Sequence, residues 1–445
     1  MIVPRSKLLF WVAAIILPFA LLGAVVPGAL AVSLVFVGGL LVVVMVDSVG
    51  AFTSLSGIGV ELSPVARMSL GREGKLEMRI RNPRQQARQL RVAPAWPPEI
   101  KIAREEIDVL LPAQTEWSRL MWAGTPMKRG NYPVSSVFVE GGSPLGFWAA
   151  RKRLSVRSEI HVYPNLLGER KNLAALFLNR GAFGFHAQRQ VGKGRDFEKL
   201  REYVPGDGYD EIHWKATARR GKPITKVFQI EKTQEVYVIL DASRLSARMT
   251  DQKGGPETPV LERLITAALV LGLAAEQQGD LFGLVAFTDK VEKFVRARNG
   301  RPHYSACRDA LYTLQPKIVT PDFDELCTFI RLRLRRRALL VFLTALDDPT
   351  LAEGFVRNVE LIRRQHLVLV NAVRPPGVAP LFADENVAGV DDLYARLGGH
   401  LQWQKLRELQ MVLQRRGVRL SLLDNERLSA DIVAQYMGVK QRQLL

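Results

Sequence analysis

Cysteine is nearly absent from this 445-residue chain: Cys307 and Cys327 are the two residues, and neither belongs to a CxxC pair. A disulfide-stapled scaffold is thereby excluded. The six histidines are scattered, which excludes a His-rich metal protein. No HExxH, GxSxG or GxxxxGK[ST] pattern occurs, so the common signatures of zinc peptidases, α/β-hydrolases and P-loop NTPases are missing. Another lack is local. From Leu8 to Val46 there is no charged residue. What remains is ordinary for a globular chain, 47% apolar and 24% charged, so disorder is not the dominant state. The length allows two to three domains, each with a real core.

The uncharged run is divided by Pro27-Gly28, a strong turn signal. Residues 8–26 and 29–46 each rise roughly 27–29 Å as helices, close to the hydrocarbon thickness of a bilayer. Lipid offers backbone groups no partners, so two helices are the expected form. Ala29-Leu30-Ala31 resembles a signal-peptide cleavage site, but the run before it is too long and a second apolar run follows at once. Residues 1–50 therefore read as a transmembrane hairpin. Arg5 and Lys7 precede the first span and the turn is uncharged, so the N-terminus is expected inside. That places the soluble domains on the cytoplasmic face of the inner (cytoplasmic) membrane.

Charge supports the same geometry. Lys and Arg number 62 against 44 Asp and Glu, a formal +18. The excess is +1 over residues 1–60, +7 over 61–165, +6 over 166–230 and +4 over 231–445. A basic body next to the anchor suits an anionic leaflet better than it suits nucleic acid. An anionic-lipid-binding scaffold is thus one reading, with Arg151-Lys152-Arg153, Arg157 and the run Arg331–Arg337 as its clusters.

Residues 60–165 read as all-β. Leu76–Arg81 and Val134–Val139 alternate, and turn signals recur at Asn82-Pro83, Pro97-Pro98 and Gly141–Pro144. A small β-sandwich is expected. Residues 166–230 form a Gly-rich basic connector. Residues 231–440 alternate apolar strands with amphipathic helices, the pattern of a doubly wound, Rossmann-like α/β sheet. Strands are expected at Val236–Leu240, Leu281–Phe287, Ala338–Thr344, Leu367–Val373 and Val418–Leu423, with a short edge strand at Val291–Val295. Ligands of such sheets bind at the carboxyl ends of the strands, which directs attention to the residues after Leu240 and Leu343.

Asp241-Ala242-Ser243 follows the first strand, two oxygen donors suited to a hard cation. With Thr320 they resemble the metal-ion-dependent adhesion site of the von Willebrand factor type A domain, whose Mg²⁺ coordinates a carboxylate of the partner protein. Leu245 and Ala345 stand where that pattern has ligands, and Asp347 and Asp348 lie just beyond. Divalent-metal-dependent ligand binding is therefore an alternative reading, and capping of a loop without metal the simpler one.

The connector carries a longer match. Gly192, Gly194, Phe197, Leu200, Arg201, Glu202, Tyr203, Pro205, Gly206, Asp207, Ile212, Trp214, Lys215, Ala216 and Arg219 resemble the signature of domain-of-unknown-function family 58. The family often has Asp or Asn where this chain has His213, and Arg where it has Asp210. The resemblance implies two spans, a β-domain and a type A-like domain. It also implies protein partners, among them a MoxR-type AAA+ ATPase and a transglutaminase-like membrane protein. The expected role is that of a non-enzymatic adaptor in assembly of envelope-linked complexes. Within the connector, alternating charges are expected to pair, and Trp214 to pack against the sheet domain.

Overall fold

The computed structural model describes residues 1–169, 191–205, 208–229, 234–250, 258–381 and 389–442. The chain divides into two compact units, Met1–Asn165 and Leu166–Leu445.

The first unit opens on a short strand, Ile2–Pro4. Two helical stretches follow, Ser6–Val25 and Leu30–Ser54, both apolar and long enough to cross a membrane. A single π-helical stretch, Val12–Ile16, interrupts the first, and a 3₁₀ turn at Pro27–Ala29 joins the two. Phe19 and Phe36 stack between them at 4.6 Å. Their apolar side chains are mostly exposed, including Leu9, Leu21, Val35 and Val42. Helices that expose apolar surface all round belong in lipid rather than in a soluble core.

The rest of this unit is β. Gly59–Leu62, Gly74–Arg81, Trp117–Pro126 and Ile100–Lys101 form one antiparallel sheet. Arg88–Pro94, Ile107–Leu111, Gly130–Gly142 and Trp148–Tyr163 form another, to which Val65–Ser69 adds in parallel and Ile2–Pro4 antiparallel. The two sheets share one core. Leu76, Met78, Ile80 and Trp122 come from the first sheet, Val92, Val139 and Ile160 from the second, and Leu55 from the end of the helix. The alternating pattern of Gly74–Arg81 explains this: its inward residues Leu76, Met78 and Ile80 are buried and the intervening ones are not.

The second unit contains a six-stranded sheet. Its strands are β1 (Glu235–Asp241), β2 (Leu281–Phe287), β3 (Val291–Arg298), β4 (Ala338–Leu343), β5 (Leu367–Val373) and β6 (Arg419–Leu423). They lie in the order β3-β2-β1-β4-β5-β6. All neighbours are parallel except β2 and β3. Helices α1 (Val260–Gln277), α2 (Arg301–Leu311), α3 (Phe323–Arg333), α4 (Pro349–Arg363) and α5 (Val390–Arg415) connect them, and α6 (Leu428–Gln441) follows β6. Apolar residues of α1, α2 and α6 join one face of the sheet in a core cluster. Those of α3 and α4, with Leu413 of α5, join the other. Burial on both faces is why β1 and β4 are nearly continuous apolar runs. The buried carboxylate of Asp280, at the start of β2, accepts from Tyr436 and pairs with Lys440 at 2.8 Å, clipping α6 to the sheet. Burial, and after it that negative neighbour, hold the Tyr436 phenol far above its ordinary range.

Cys307 and Cys327 are free and buried, and burial pushes both thiols up to about 12. Neither is a reactive thiolate near neutral pH.

Candidate functional site

Strands β1 and β4 are neighbours, and their carboxyl ends meet at the point where strand order reverses. Asp241 closes β1 with 1% of its surface exposed. One carboxylate oxygen accepts from the Ser243 amide at 2.9 Å. The other accepts from the Thr344 hydroxyl, just past β4, at 2.5 Å. Burial nevertheless raises the Asp241 carboxyl above the ordinary range, the hydrogen bonds from Ser243 and Thr344 opposing it. Ser243 is fully buried, and its hydroxyl accepts from the Leu245 amide at 3.3 Å. Ser246 turns back to bond the Ser243 carbonyl at 2.9 Å. Asp241 and Ser243 thus tie the 241–246 loop to itself and to β4.

The structure brings the loop carrying Thr320 to this place through its backbone. The Lys317 amide donates to Ala242 at 2.8 Å, and the Arg244 amide donates to Val319 at 3.0 Å. The Thr320 side chain itself is exposed. Leu245 is buried in the apolar position its side chain requires, and Ala345 offers no oxygen beyond its backbone. Asp347 and Asp348 follow. Asp347 pairs with Arg248 and Asp348 faces Arg244 at 3.5 Å, so each carboxylate has a guanidinium beside it. Asp348 also caps α4, accepting from the Thr350 amide at 3.0 Å.

This donor set does not fit Mg²⁺. The ion demands near-octahedral oxygen geometry. Here the one carboxylate at the expected place is buried with both oxygens engaged, and the two beyond it face arginines. Among the described residues, no group of three or more His, Cys, Asp or Glu is placed to hold a metal. Beside these strand ends lies a cavity of about 180 Å³. Leu245, Val260, Leu264 and Val373 make it apolar, and Arg248 and Arg374 add charge. Thr344, Arg244 and Arg248 are the functional-looking residues that sequence reasoning missed.

The residues that resemble the family 58 signature form a second candidate surface. Val191–Glu202, which carries Gly192, Gly194, Phe197, Leu200, Arg201 and Glu202, pairs antiparallel with Ile224–Gln229. Gly206 and Asp207 lie outside the described residues. Between the strands come a 3₁₀ turn, Tyr209–Glu211, and a short helix, Trp214–Arg220, which contains Lys215, Ala216 and Arg219. His213 caps that helix: its Nδ1 accepts from the Ala216 amide at 3.0 Å. An Asp or Asn oxygen does the same work at such a position. Gly221 ends the helix at φ 64°, a left-handed conformation natural to glycine. The Thr217 hydroxyl accepts from the Ile224 amide at 3.0 Å, and the Tyr203 amide donates to Pro223 at 3.0 Å. Ile212, Ile224 and Thr225 are buried.

One expectation for this segment is corrected. Trp214 does not pack into a core: 69% of it is exposed, while Ile212, two residues earlier, is the buried apolar side chain of this stretch. Among the charges expected to pair, Asp207 lies outside the described residues, and Glu202 lies 3.8 Å from Lys222, a weak, exposed pairing. Tyr209 is 77% exposed and stacks on Tyr203 at 6.4 Å.

Residues 199–379 match the model of a family described as a protein of unknown function, DUF58. No curated protein matches the chain. Among solved structures, proximal thread matrix protein 1 from the mussel byssus is 12% identical with a TM-score of 0.26, covering 45% of each chain. An uncharacterised membrane-spanning protein from Vibrio fischeri is 14% identical with a TM-score of 0.18, covering 46% of this chain and 98% of that one. A CARDB domain from Pyrococcus furiosus, in complex with di-metal ions, is 13% identical with a TM-score of 0.16, covering 24% of this chain and 86% of that one.

Proposed function

We propose that this chain is a membrane-anchored protein-interaction adaptor, its soluble domains cytoplasmic, without catalytic activity of its own. The observation that carries the reading is the solvent-facing pair Tyr209 and Trp214. They stand on a segment whose backbone is tied by the His213 cap, the Thr217 bond and strand pairing. Rigidly presented exposed aromatics are the usual anchors of protein interfaces, since they bury much area at little entropic cost. The DUF58 match begins on this segment.

The α/β sheet is read as doubly wound and type A-like, with strand order and helices on both faces in support. Its strand-end face is read as working without metal, the loop being tied by Asp241, Ser243 and Thr344 and by the pairs Arg244–Asp348 and Arg248–Asp347. The partner is a MoxR-type AAA+ ATPase or a client handled with it, in assembly of envelope-linked complexes. A transglutaminase-like membrane protein is a second partner of the same system.

Co-purification of the full-length protein from detergent extracts with a MoxR-type ATPase of the same organism tests the reading. Capture that Trp214→Ala with Tyr209→Ala reduces at least tenfold supports it. No capture with or without nucleotide, or capture indifferent to both substitutions, overturns it. Metal-dependent binding has a separate check, an unchanged melting temperature in millimolar Mg²⁺ or Mn²⁺ being the expected result.

A further inference from the structure

The helical hairpin and the β-domain of the first unit are joined by more than a peptide bond. Asp47 is the first charged residue after the second uncharged run, yet it is 3% exposed. Its carboxylate accepts from the Ser143 hydroxyl at 2.5 Å, the Leu145 amide at 2.9 Å and the Phe147 amide at 3.2 Å. Three donors to one carboxylate make a strong, charge-assisted anchorage. The first helix reaches the same turn: Lys7 donates to the Leu145 carbonyl at 2.8 Å and lies 5.9 Å from the centre of the Phe147 ring. The Arg5 amide donates to Phe147 at 2.9 Å, and its guanidinium pairs with Glu140 at 3.0 Å. Ile2–Pro4 then pairs with Trp148–Ala150 as a strand.

The contact is also close. A Cβ on Gly50 would stand 2.6 Å from Pro144, and one on Gly141 2.9 Å from Leu55. Glycine in a helix interior is less favourable than alanine, so its presence there needs a reason. Gly50 is where the turn and the helix need that space.

Depth follows from the same bonds. Lys7 and Asp47 mark where the uncharged run ends on each helix, and both hold the turn 143–147. The Trp148 indole goes further, donating to the Val44 carbonyl at 2.9 Å, inside the uncharged run. Tryptophan with an apolar body and one satisfied polar edge is the side chain of the membrane–water interface. Leu145 tips the turn with 47% of its surface exposed.

We propose that the turn 143–148 is a membrane-docking element, seated in the lipid headgroup layer and clamped there by Asp47 and Lys7. The β-domain is then a fixed platform on the bilayer rather than a body on a flexible tether. The occupant of the exposed Leu145 side is lipid. The proposal rests on the two helices crossing the bilayer and not on the partner reading of the second unit, so either can fail alone.

Spin-label accessibility decides it. Leu145→Cys and, as a control on an exposed loop, Glu105→Cys are labelled in the full-length protein reconstituted into vesicles of phosphatidylcholine and phosphatidylglycerol. The native thiols are buried and do not compete. The label at position 145 is expected to meet oxygen more often than a water-soluble nickel chelate, the reverse of the ratio at position 105. The same aqueous ratio at both positions overturns the seating. Adding Gly50→Ala, which favours the helix but crowds Pro144, is expected to make the label at 145 more mobile and shift its ratio toward the control. Unchanged mobility and ratio overturn the clamp.

Discussion

Asp241 shows how a single buried carboxylate shapes the strand-end site. Its pKa is raised by burial, so the folded chain holds its proton to higher pH than the unfolded chain, whose Asp titrates near 3.9. Stability from this group is complete below that unfolded value and declines as pH rises through the raised folded value. Asp241→Asn keeps an acceptor for the Ser243 amide and a polar partner for Thr344 while removing the charge. Melting curves of the detergent-solubilised protein between pH 4 and pH 8 are expected to fall less with pH in the variant. A steeper fall in the variant refutes the assignment. His213 gives a second residue-scale expectation. His213→Ala removes the acceptor of the Ala216 amide and is expected to cost about 1 kcal/mol, whereas His213→Asp restores the cap. Hydrogen exchange at Ala216 and Thr217 reads both. Of this site, Asp241 and Ser243 were legible because a short polar pair follows an apolar run. Thr344 was not, since a β-branched residue closing a strand looks like strand. Arg244 and Arg248 were hidden by their neighbours' resemblance to an oxygen-donor motif.

At the scale of elements, the loops after β1 and β4 are held together by charge as well as by Asp241. Arg248 is about half exposed, while the side chain of its partner Asp347 is 9% exposed. The two ends of this pair are therefore unequal. Arg248→Ala leaves a carboxylate buried without its cation and is expected to cost about 1–3 kcal/mol. Asp347→Ala leaves an arginine that reaches water and is expected to cost less. Thermal melts of the two single variants and the double variant measure the asymmetry, and equal losses from both singles contradict it. The strands that carry these loops were the most readable elements. Expectations for β1, β2, β4, β5 and β6 fall within a residue or two of the observed bounds, because strands buried on both faces leave an unbroken apolar run. The antiparallel edge strand β3 extends to Arg298, past the expected Val295: Arg296-Ala297-Arg298 holds one small apolar residue between two cations and is followed by the turn signal Asn299-Gly300, too little apolar pattern to extend a strand. The exposed Trp214 was misread for a related reason. Apolar size alone does not say which face of a seven-residue helix is covered.

For the whole molecule, the uncharged run made the hairpin legible and also concealed where it ends. The second helix continues to Ser54, eight residues beyond the expected 46. The charge at Asp47 marks the end of a lipid-compatible window, but the helix has a further reason to continue. Ala51 is fully buried, and Leu55, 6% exposed, enters the core of the β-sandwich. The Arg88 guanidinium donates to the Ser54 carbonyl at 2.7 Å, satisfying one of the acceptors left at the helix end. Partial burial and the nearby Arg84 lower the Arg88 pKa. The strand Ile2–Pro4 was equally invisible, since three residues before a span carry no periodicity. Anchor and β-domain therefore share side chains, and the expected boundary between residues 50 and 60 cuts through a core. A chain beginning at Asp47 retains the helix end, Leu55 and the three bonds to the 143–147 turn. A chain beginning at Gly59 loses all of them, including a leucine whose burial contributes about 1.5–3 kcal/mol. The longer form is expected to be the more soluble and to melt several degrees higher. Equal solubility and equal melting temperatures would mean that the β-sandwich closes its core without the helix, and that the anchor is a separate body after all.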